Sequence, residues 1–349
     1  MKSTAEEVLE PMPPERQKPV SRAVRQIIER IVSAIGDSQT ICVVGHIRPD
    51  GDCIGSQLGL ALALKNQGKD IVCWNEDPVP AKLAFLDSRA LFSLPQPGRQ
   101  FDCVIATDCA SFERLGVVRD CIHDRKMFIN IDHHASNTRY GDLNWVSSKE
   151  PSTGELIYRL LKTAGWPITH EIADCLFTAV STDTGSFQYP TTTPATFDVA
   201  SHLVECGADL GKISEEVYCS YPLARVQLLR HVYNKFHLTH DRRTAYFWLK
   251  KRDYTRTGAR PDDSEGLIDH VRAIQGVVVA CLFEEMEPDL TRVSLRSKND
   301  KVNVNDIAQH FGGGGHQAAA GARIRGEPLS VQRQVLGAIR KALNGTKDG

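Results

Sequence analysis

Four short segments of the chain carry carboxylates and imidazoles, the side chains that bind metal ions and transfer protons. The first contains His46, Asp50 and Asp52, and Pro49 and Gly51 mark a tight turn within it. Two aspartates one residue apart in such a turn can face one site, and the imidazole can join them. Carboxylate oxygens suit hard divalent cations, and imidazole favours transition metals such as Mn²⁺. The segment predicts a metal site, and a solvated turn with Asp52 as a helix cap is the alternative.

The other segments contain Asp108, the run Asp132-His133-His134, and Asp183. Neighbouring strand residues point to opposite faces, so the Asp-His-His run cannot ligate one ion by strand geometry alone. A bend there would aim one histidine at metal and the other at substrate. Taken singly, Asp108 also fits a helix cap, and Asp183 is one aspartate among small polar residues at the end of a predicted helix. Taken together, two histidines and four aspartates suffice for two ions if one carboxylate bridges, and two ions ~3.5–4 Å apart can clamp a phosphoryl group.

The elements that must position these residues follow from the apolar pattern. Apolar and β-branched runs predict four strands, and helical patterns lie between most of them, which favours a parallel α/β sheet. In open α/β sheets, ligands bind beyond the carboxyl ends of the strands, where three of the four segments lie. The predicted strands are residues 40–45, 70–74, 101–107 and 127–131.

The rest of the chain predicts a largely helical stretch and then a second α/β unit. Ser152 and Glu155 form a capping-box pattern that opens a helix over residues 154–164. Further strands are expected at 244–250, 277–284 and 290–297. The predicted organisation comprises a polar leader (1–20), a catalytic domain with helices on both sheet faces (21–221), a linker helix (222–236) and a smaller α/β domain (237–345), with the active site in the cleft between the domains.

Composition excludes several classes of protein. Of 349 residues, 41% are apolar and 24% charged, which is ordinary for a globular chain and excludes a disordered protein or a coiled-coil rod. The N-terminal segment lacks the apolar core of a signal peptide, so the cytoplasm is the expected compartment and no membrane partner is expected. The formal net charge of −1 argues against a long-duplex binder. None of the ten cysteines forms a CxxC pair, and buried free thiols are expected.

The motifs, in this order, resemble those of the DHH phosphoesterase superfamily. The glycine-rich run 311–316 resembles the signature of the C-terminal DHH-associated domain, and residues 294–298 fit as well. The resemblance covers about residues 20–345. The two-domain layout and the segment 181–187 are similar to the group of bifunctional oligoribonucleases and adenosine 3′,5′-bisphosphate phosphatases.

The resemblance implies a role for each matching residue. The first ion would be held by His46, Asp50 and Asp108, and the second by Asp52, Asp108, His133 and Asp183, with Asp108 bridging. His134 would contact the scissile phosphate and Asp132 would orient the histidine pair. Cys53, which follows the Asp-x-Asp turn, is not a predicted ligand. Substrate binding would fall to residues of the second domain: Arg296, Ser297, Lys298, Gly313, Gly314, Gly315 and His316.

The implied activity is hydrolysis of short oligoribonucleotides to nucleoside 5′-monophosphates, and of adenosine 3′,5′-bisphosphate to AMP, through a hydroxide that two metal ions activate. Mn²⁺ is expected, with Mg²⁺ or Co²⁺ as alternatives. The direction of attack on the chain and a homodimeric state stay open. A phosphodiesterase of linear or cyclic dinucleotide messengers is the main alternative. A nucleotide-binding regulator without catalysis is a further one, against which the intact ligand set argues.

Overall fold

The computed structural model describes residues 21–298 and 301–345, and the predicted leader lies outside them. The described chain divides into two compact units. The first runs to Leu210, except for Pro80–Phe85 and His134–Thr138, which belong with the residues from Gly211 onward in the second. The domain boundaries predicted near residues 221 and 236 stay predictions.

The first unit contains a six-stranded sheet in which every neighbouring pair is parallel, in the order β3-β2-β1-β4-β5-β6. The predicted parallel sheet is therefore confirmed. The two outer strands were not expected from the sequence, and one of them has only two residues. The strands are β1 (Thr40–Val44), β2 (Asp70–Trp74), β3 (Phe92–Ser93), β4 (Phe101–Thr107), β5 (Arg125–Asp132) and β6 (Leu143–Val146).

Helices cover both faces of this sheet. The short α3 and a neighbouring 3₁₀ helix pack on the face that carries Cys42 and Val44, while α2 and α4 contact the sheet through other positions. The helices of this unit are α1 (Arg22–Gly36), α2 (Gly51–Asn66), α3 (Val118–Cys121), α4 (Thr153–Ala164), α5 (His170–Asp183) and α6 (Pro194–Glu205), and α7 (Leu210–Ser214) begins at its last residue. A 3₁₀ turn occupies Phe112–Leu115. A 3₁₀ helix at Ala81–Leu86 and a π-helical turn at Glu215–Cys219 fall largely or wholly within the residues of the second unit.

The predicted capping box of α4 is only half formed. The Ser152 hydroxyl accepts the N–H of Glu155 at 3.2 Å, as predicted. The Glu155 side chain does not return to the cap, because its carboxylate accepts hydrogen bonds from Arg159 and from the hydroxyl of Thr196. A fully buried carboxylate is costly without such partners, so tertiary pairing prevails over the local motif.

The second unit contains a mixed six-stranded sheet in the order β11-β12-β10-β9-β8-β7, which confirms a second α/β unit. Among the described residues, β8 and β9 pair in parallel and the other neighbouring strands of this sheet pair antiparallel. Its strands are β7 (His237–Leu238), β8 (Thr244–Leu249), β9 (Val279–Glu287), β10 (Leu290–Ser297), β11 (Gly314–Gly315) and β12 (Ala319–Arg325), and its helices are α8 (Leu223–Lys235), α9 (Lys251–Thr257), α10 (Leu267–Arg272), α11 (Val304–His310) and α12 (Pro328–Gly345), with a 3₁₀ turn at Pro261–Ser264.

The second sheet separates two apolar cores. On one face, alternate residues of β9 and β10 pack with the buried stripe of α12 that contains Val331, Val335 and Ile339. On the other, Leu228 and Val232 of α8 pack with residues of α10 and β8. In the part of the chain that the structure describes, no helix combines the length and the apolar character that a membrane crossing requires.

Candidate metal centre

The strand order creates a crevice at one edge of the first sheet. The chain proceeds outward from β1 through β2 to β3 and in the opposite direction from β4 to β6, so β1 and β4 flank the point where the order reverses. Ligands of open α/β sheets bind at such a point, beyond the carboxyl ends of the strands. Asp108 directly follows β4 there, with φ +55°, a left-handed conformation that aspartate tolerates better than most residues.

His46 leaves β1 and meets two carboxylates. Its Nε2 atom lies 3.4 Å from Oδ2 of Asp108 and 3.8 Å from Oδ1 of Asp50. Its Nδ1 atom lies 2.8 Å from the carbonyl oxygen of Ile47, which fixes the ring with Nε2 toward the carboxylates. His46 is 3% exposed, whereas the side chain of Asp50 is 49% exposed and lies on the open side of the group. The structure thus brings together the three residues predicted to hold the first ion.

His133 leaves β5 and meets three carboxylates. Its Nε2 atom lies 3.6 Å from Oδ2 of Asp52, 3.5 Å from Oδ1 of Asp108 and 3.2 Å from Oδ2 of Asp183. The Nδ1 atom lies 3.2 Å from the carbonyl oxygen of Glu150, so this ring is oriented in the same manner as that of His46. The four residues predicted to hold the second ion are therefore adjacent.

Asp108 links the two groups. Its Oδ2 faces His46 and its Oδ1 faces His133, so each oxygen belongs to a different donor set. The hydroxyl of Thr153 donates to Oδ1 at 3.1 Å and helps to fix the carboxylate. This orientation is the one that a carboxylate bridging two ions requires.

Asp52 is held by the N-terminus of another helix. Its carboxylate accepts the N–H groups of Thr153 at 2.7 Å and Gly154 at 2.8 Å, both in the first turn of α4, and the hydroxyl of Ser56 at 2.9 Å. Helix N-termini stabilise negative charge. The cap of α2 is Asp50, whose Oδ1 accepts the N–H of Cys53, and not Asp52 as the alternative interpretation had it.

Close packing of α2 on α5 sets the distance between Asp52 and Asp183. An ideal Cβ on Gly51 would lie 2.4 Å from the Thr182 side chain, and one on Gly55 would lie 2.3 Å from the carbonyl oxygen of Cys175. Positions four apart share one face of a helix, so these glycines form a strip along which the backbones approach. The approach brings the C-terminus of α5, and with it Asp183, to the first turn of α2.

The chemistry of this donor set fits divalent cations. Burial raises the pKa of Asp52 to about 6 and raises that of Asp108 well above its usual range, with repulsion from Asp52 adding to the effect at Asp108. Burial alone would lower the pKa of His133, but the carboxylates around it, with Asp183 foremost, raise it to about 9. So much buried negative charge is costly without a cation, and the oriented Nε2 atoms and carboxylate oxygens suit transition ions.

The remaining residues of the Asp-His-His run lie at and beyond the end of β5. Asp132 is the last residue of that strand and is fully buried. His134 belongs to the second compact unit, where its imidazole stacks on that of His316 with the ring centroids 4.4 Å apart. Two residues predicted to contact substrate are therefore neighbours, and their roles stay predictions.

A tight turn in the second unit brings Arg296, Ser297 and His316 together. Arg296 pairs with Ala319 in the register of β10 and β12, and the Ser297 N–H donates to the carbonyl of Ala318 at 2.8 Å. The His316 N–H donates to the carbonyl of Ala319 at 2.7 Å and closes the turn. The main chains of Arg296 and His316 are therefore close, and the guanidinium of Arg296 donates to the carbonyl oxygen of Leu295 at 3.1 Å.

The glycine-rich run has a structural requirement of its own. A Cβ on Gly313 would lie 2.1 Å from the carbonyl oxygen of Gly321, and one on Gly315 would lie 2.5 Å from that of Ala319. Glycine at both positions, with Gly314 between them, thus permits pairing with β12, in addition to the predicted approach to an anion. Lys298 differs from its neighbours, because its amine donates to carbonyls of Ala273 and Ile274 beside the end of α10.

Sequence reasoning missed several residues around the ions' predicted positions. Thr153 contacts two of the aspartates, and its place directly after a predicted helix cap was the available signal. Arg114 has its Nη2 atom 3.2 Å from Nδ1 of His46, and its carbonyl accepts the N–H of Ile47. It follows Asp108 by six residues at the same sheet edge. Cys53, which is not among the predicted ligands, lies next to His46 and Asp108.

Two domain families match the chain. Residues 40–180 match the N-terminal domain of the DHH family, and residues 245–345 match the DHHA1 domain. The first match contains every predicted metal ligand except Asp183, and the second contains all predicted substrate-binding residues.

Individual relatives match over most of their length. The bifunctional oligoribonuclease and PAP phosphatase NrnA of Thermus thermophilus is 33% identical over 311 residues, which cover 87% of this chain and 90% of the relative. The protein of that name in Bacillus subtilis is 29% identical, covering 84% and 92%. The crystal structure of an exopolyphosphatase-related protein from Bacteroides fragilis superposes with a TM-score of 0.85 at 26% identity, covering 95% of this chain and 99% of that one.

Proposed function

This chain belongs to the DHH family of phosphoesterases, whose members depend on divalent metal ions, and from that premise we propose that it hydrolyses short oligoribonucleotides and adenosine 3′,5′-bisphosphate. The products are nucleoside 5′-monophosphates and AMP. The names of the relatives from Thermus and Bacillus support this activity over hydrolysis of dinucleotide messengers.

The placement of Asp108 is the observation that most directly supports a metal-dependent reaction. Its two oxygens face two imidazoles whose Nδ1 atoms are each within hydrogen-bonding distance of main-chain carbonyls. His46, Asp50 and Asp108 hold one ion in this proposal, and Asp52, Asp108, His133 and Asp183 hold the other. When bound, such a pair supplies a hydroxide nucleophile at neutral pH and neutralises charge on the phosphoryl group.

The chain's own residues orient both the ligands and the substrate. The hydroxyl of Thr153 holds the carboxylate of Asp108 in place, and the hydroxyl of Ser56 holds that of Asp52. Asp132 orients the histidine pair and His134 contacts the scissile phosphate. The side chains of Arg296 and His316 bind the rest of the nucleotide through its phosphates, and the glycine-rich run permits the close approach of the main chain to that anion.

Mn²⁺ is the ion we propose for the second, oxygen-rich group of ligands, because three carboxylates and one imidazole suit it. Short substrates follow from the charge balance. A chain of net charge −1 offers little general attraction to a long polyanion, so additional nucleotides contribute little binding energy. The cytoplasm, where such substrates arise, stays the proposed compartment.

The direct test uses a labelled RNA ladder of two to about ten nucleotides, supplied with Mn²⁺ beside adenosine 3′,5′-bisphosphate and cyclic di-AMP. We expect mononucleotide release with kcat/KM highest at two to about five nucleotides, because longer RNA gains binding energy only from a long basic groove. Phosphate release from the bisphosphate should accompany it. A profile that stays flat or rises with length would indicate a general exonuclease. Preferential cleavage of cyclic di-AMP would favour the messenger phosphodiesterase.

A further inference from the structure

Cys53 lies inside the first predicted ion site. Its sulfur, a nitrogen of His46 and a carboxylate oxygen of Asp108 all lie within 4.8 Å of one another, and all three residues are buried. All ten cysteines lie in the described part of the chain, and among them only this one joins a cluster of at least three potential metal ligands there.

The local fold directs the thiol to this place. Cys53 is the third residue of α2, and its N–H donates to Oδ1 of Asp50 at 3.1 Å. An ideal Cβ on Gly45 would lie 2.4 Å from the Cys53 sulfur, so the thiol rests directly against the backbone at the end of β1. A larger residue at position 45 would displace it.

We propose that Cys53 is a fourth ligand of the ion held by His46, Asp50 and Asp108, and that it makes this site selective for thiophilic divalent ions. The inference rests on the proposed metal centre. Proteins bind sulfur to such ions at about 2.3 Å and nitrogen or oxygen at about 2.0–2.2 Å, so the three buried atoms close around one ion with small side-chain adjustments. As the sulfur–metal bond forms, the thiol releases its proton to solvent.

The two ion sites are then chemically unlike. Thiolate favours Co²⁺ and Zn²⁺ strongly over Mg²⁺, whereas carboxylates accept Mg²⁺ and Mn²⁺. The first site has one sulfur, one imidazole and two carboxylates, and the second has three carboxylates and one imidazole. A mixed pair of ions follows, with the more thiophilic ion beside His46.

Titration of the metal-free full-length protein with Co²⁺ tests the assignment. A thiolate ligand produces a charge-transfer absorption band in the near ultraviolet, which imidazole and carboxylate ligands do not produce. We expect the band in the wild type and its loss in Cys53→Ala. Cys42→Ala is the matched control and should retain the band, because Cys42 is an equally buried thiol that packs among apolar side chains of the first sheet.

Metal affinities give a second readout. Loss of a ligand should weaken Zn²⁺ binding roughly tenfold or more, since even indirect partners of metal ligands contribute 10–100-fold, and Mg²⁺ binding should change less. Bound Co²⁺ without the band in the wild type, or a band that survives in Cys53→Ala, would overturn the role of Cys53 while leaving the metal centre intact. Absence of Co²⁺ binding altogether would overturn the metal centre and the ligand together. Equal melting temperatures of the two variants would show that Cys53→Ala folds.

Discussion

Gly55→Ala should both destabilise the protein and impair the metal centre. The substitution places a methyl group 2.3 Å from the carbonyl oxygen of Cys175 and 2.9 Å from Cβ of Ala179. Ordinary contacts between heavy atoms begin at about 3.5 Å, so α2 and α5 must separate by about 1 Å. The obstructing atom is backbone, which cannot rotate away as a side chain can.

Two opposing contributions determine the size of the effect on the free energy of unfolding. Overpacking costs about 1–3 kcal/mol, and the rigid obstruction favours the upper end of that range. Alanine is about 1 kcal/mol better than glycine in a helix interior, which offsets part of the loss. The net destabilisation is about 2 kcal/mol, and at about 2–4 °C per kcal/mol the melting temperature should fall by about 4–8 °C.

The functional effect follows from the ligands at the ends of these helices. Asp52 lies in the first turn of α2 and Asp183 ends α5, and both face Nε2 of His133. A displacement of about 1 Å in such a site can reduce activity about 100-fold. Calorimetry, metal titration and RNA hydrolysis on one preparation would measure all three effects.

Gly337→Ala is the matched control. Gly337 lies inside α12, is exposed, and an added Cβ would meet nothing within 4 Å. The same chemical change should therefore raise stability by up to about 1 kcal/mol through helix propensity and leave activity unchanged. If Gly55→Ala proved as stable and as active as the wild type, close backbone packing would not be what positions the ligands.

Three further results are expected. Removing divalent ions with a chelator should lower the melting temperature, because an ion present at 100 times its dissociation constant stabilises the folded protein by about 2.7 kcal/mol. Scanning calorimetry with and without Mn²⁺ measures this effect, and an unchanged transition would argue against a metal centre. Thr153→Val should reduce metal affinity about tenfold because it removes the hydrogen bond to Asp108, whereas Thr153→Ser should keep both the bond and the affinity. Equal metal affinities of the two variants in calorimetric titration would contradict the role of Thr153. Arg296→Ala should raise KM for short RNA roughly tenfold with metal content unchanged, and either a lower metal content or an unaltered KM would contradict its assignment.

The location of the site could be predicted because it depends on short-range patterns. Apolar runs identify the strands, and in a parallel sheet the residues that follow them meet at one edge. Asp108, His133 and the segment from His46 to Asp52 therefore converge without any knowledge of the tertiary structure. Asp183 lies at the end of a helix, and its convergence depends on the packing of α2 on α5.

The details that depend on tertiary contacts could not be predicted. The direction of each oxygen of Asp108 and the support from Thr153 require the position of α4, which the sequence pattern does not determine. Glu155 has the local signature of a capping box, but an ion pair with the half-buried Arg159 redirects its side chain. Cys53 reads as one of several small buried thiols until Gly45 and His46 are seen beside it.

The number of divalent ions bound per chain, measured together with RNA hydrolysis in the wild type and in Asp108→Ala, tests the central claim most directly. The proposed bridge predicts two ions and turnover in the wild type, and weakened binding of both ions with loss of turnover in the variant, since each oxygen of Asp108 belongs to a different donor set. Two tightly bound ions in Asp108→Ala would contradict the bridging role. Turnover by fully metal-free wild-type protein would contradict the metal-dependent reaction itself.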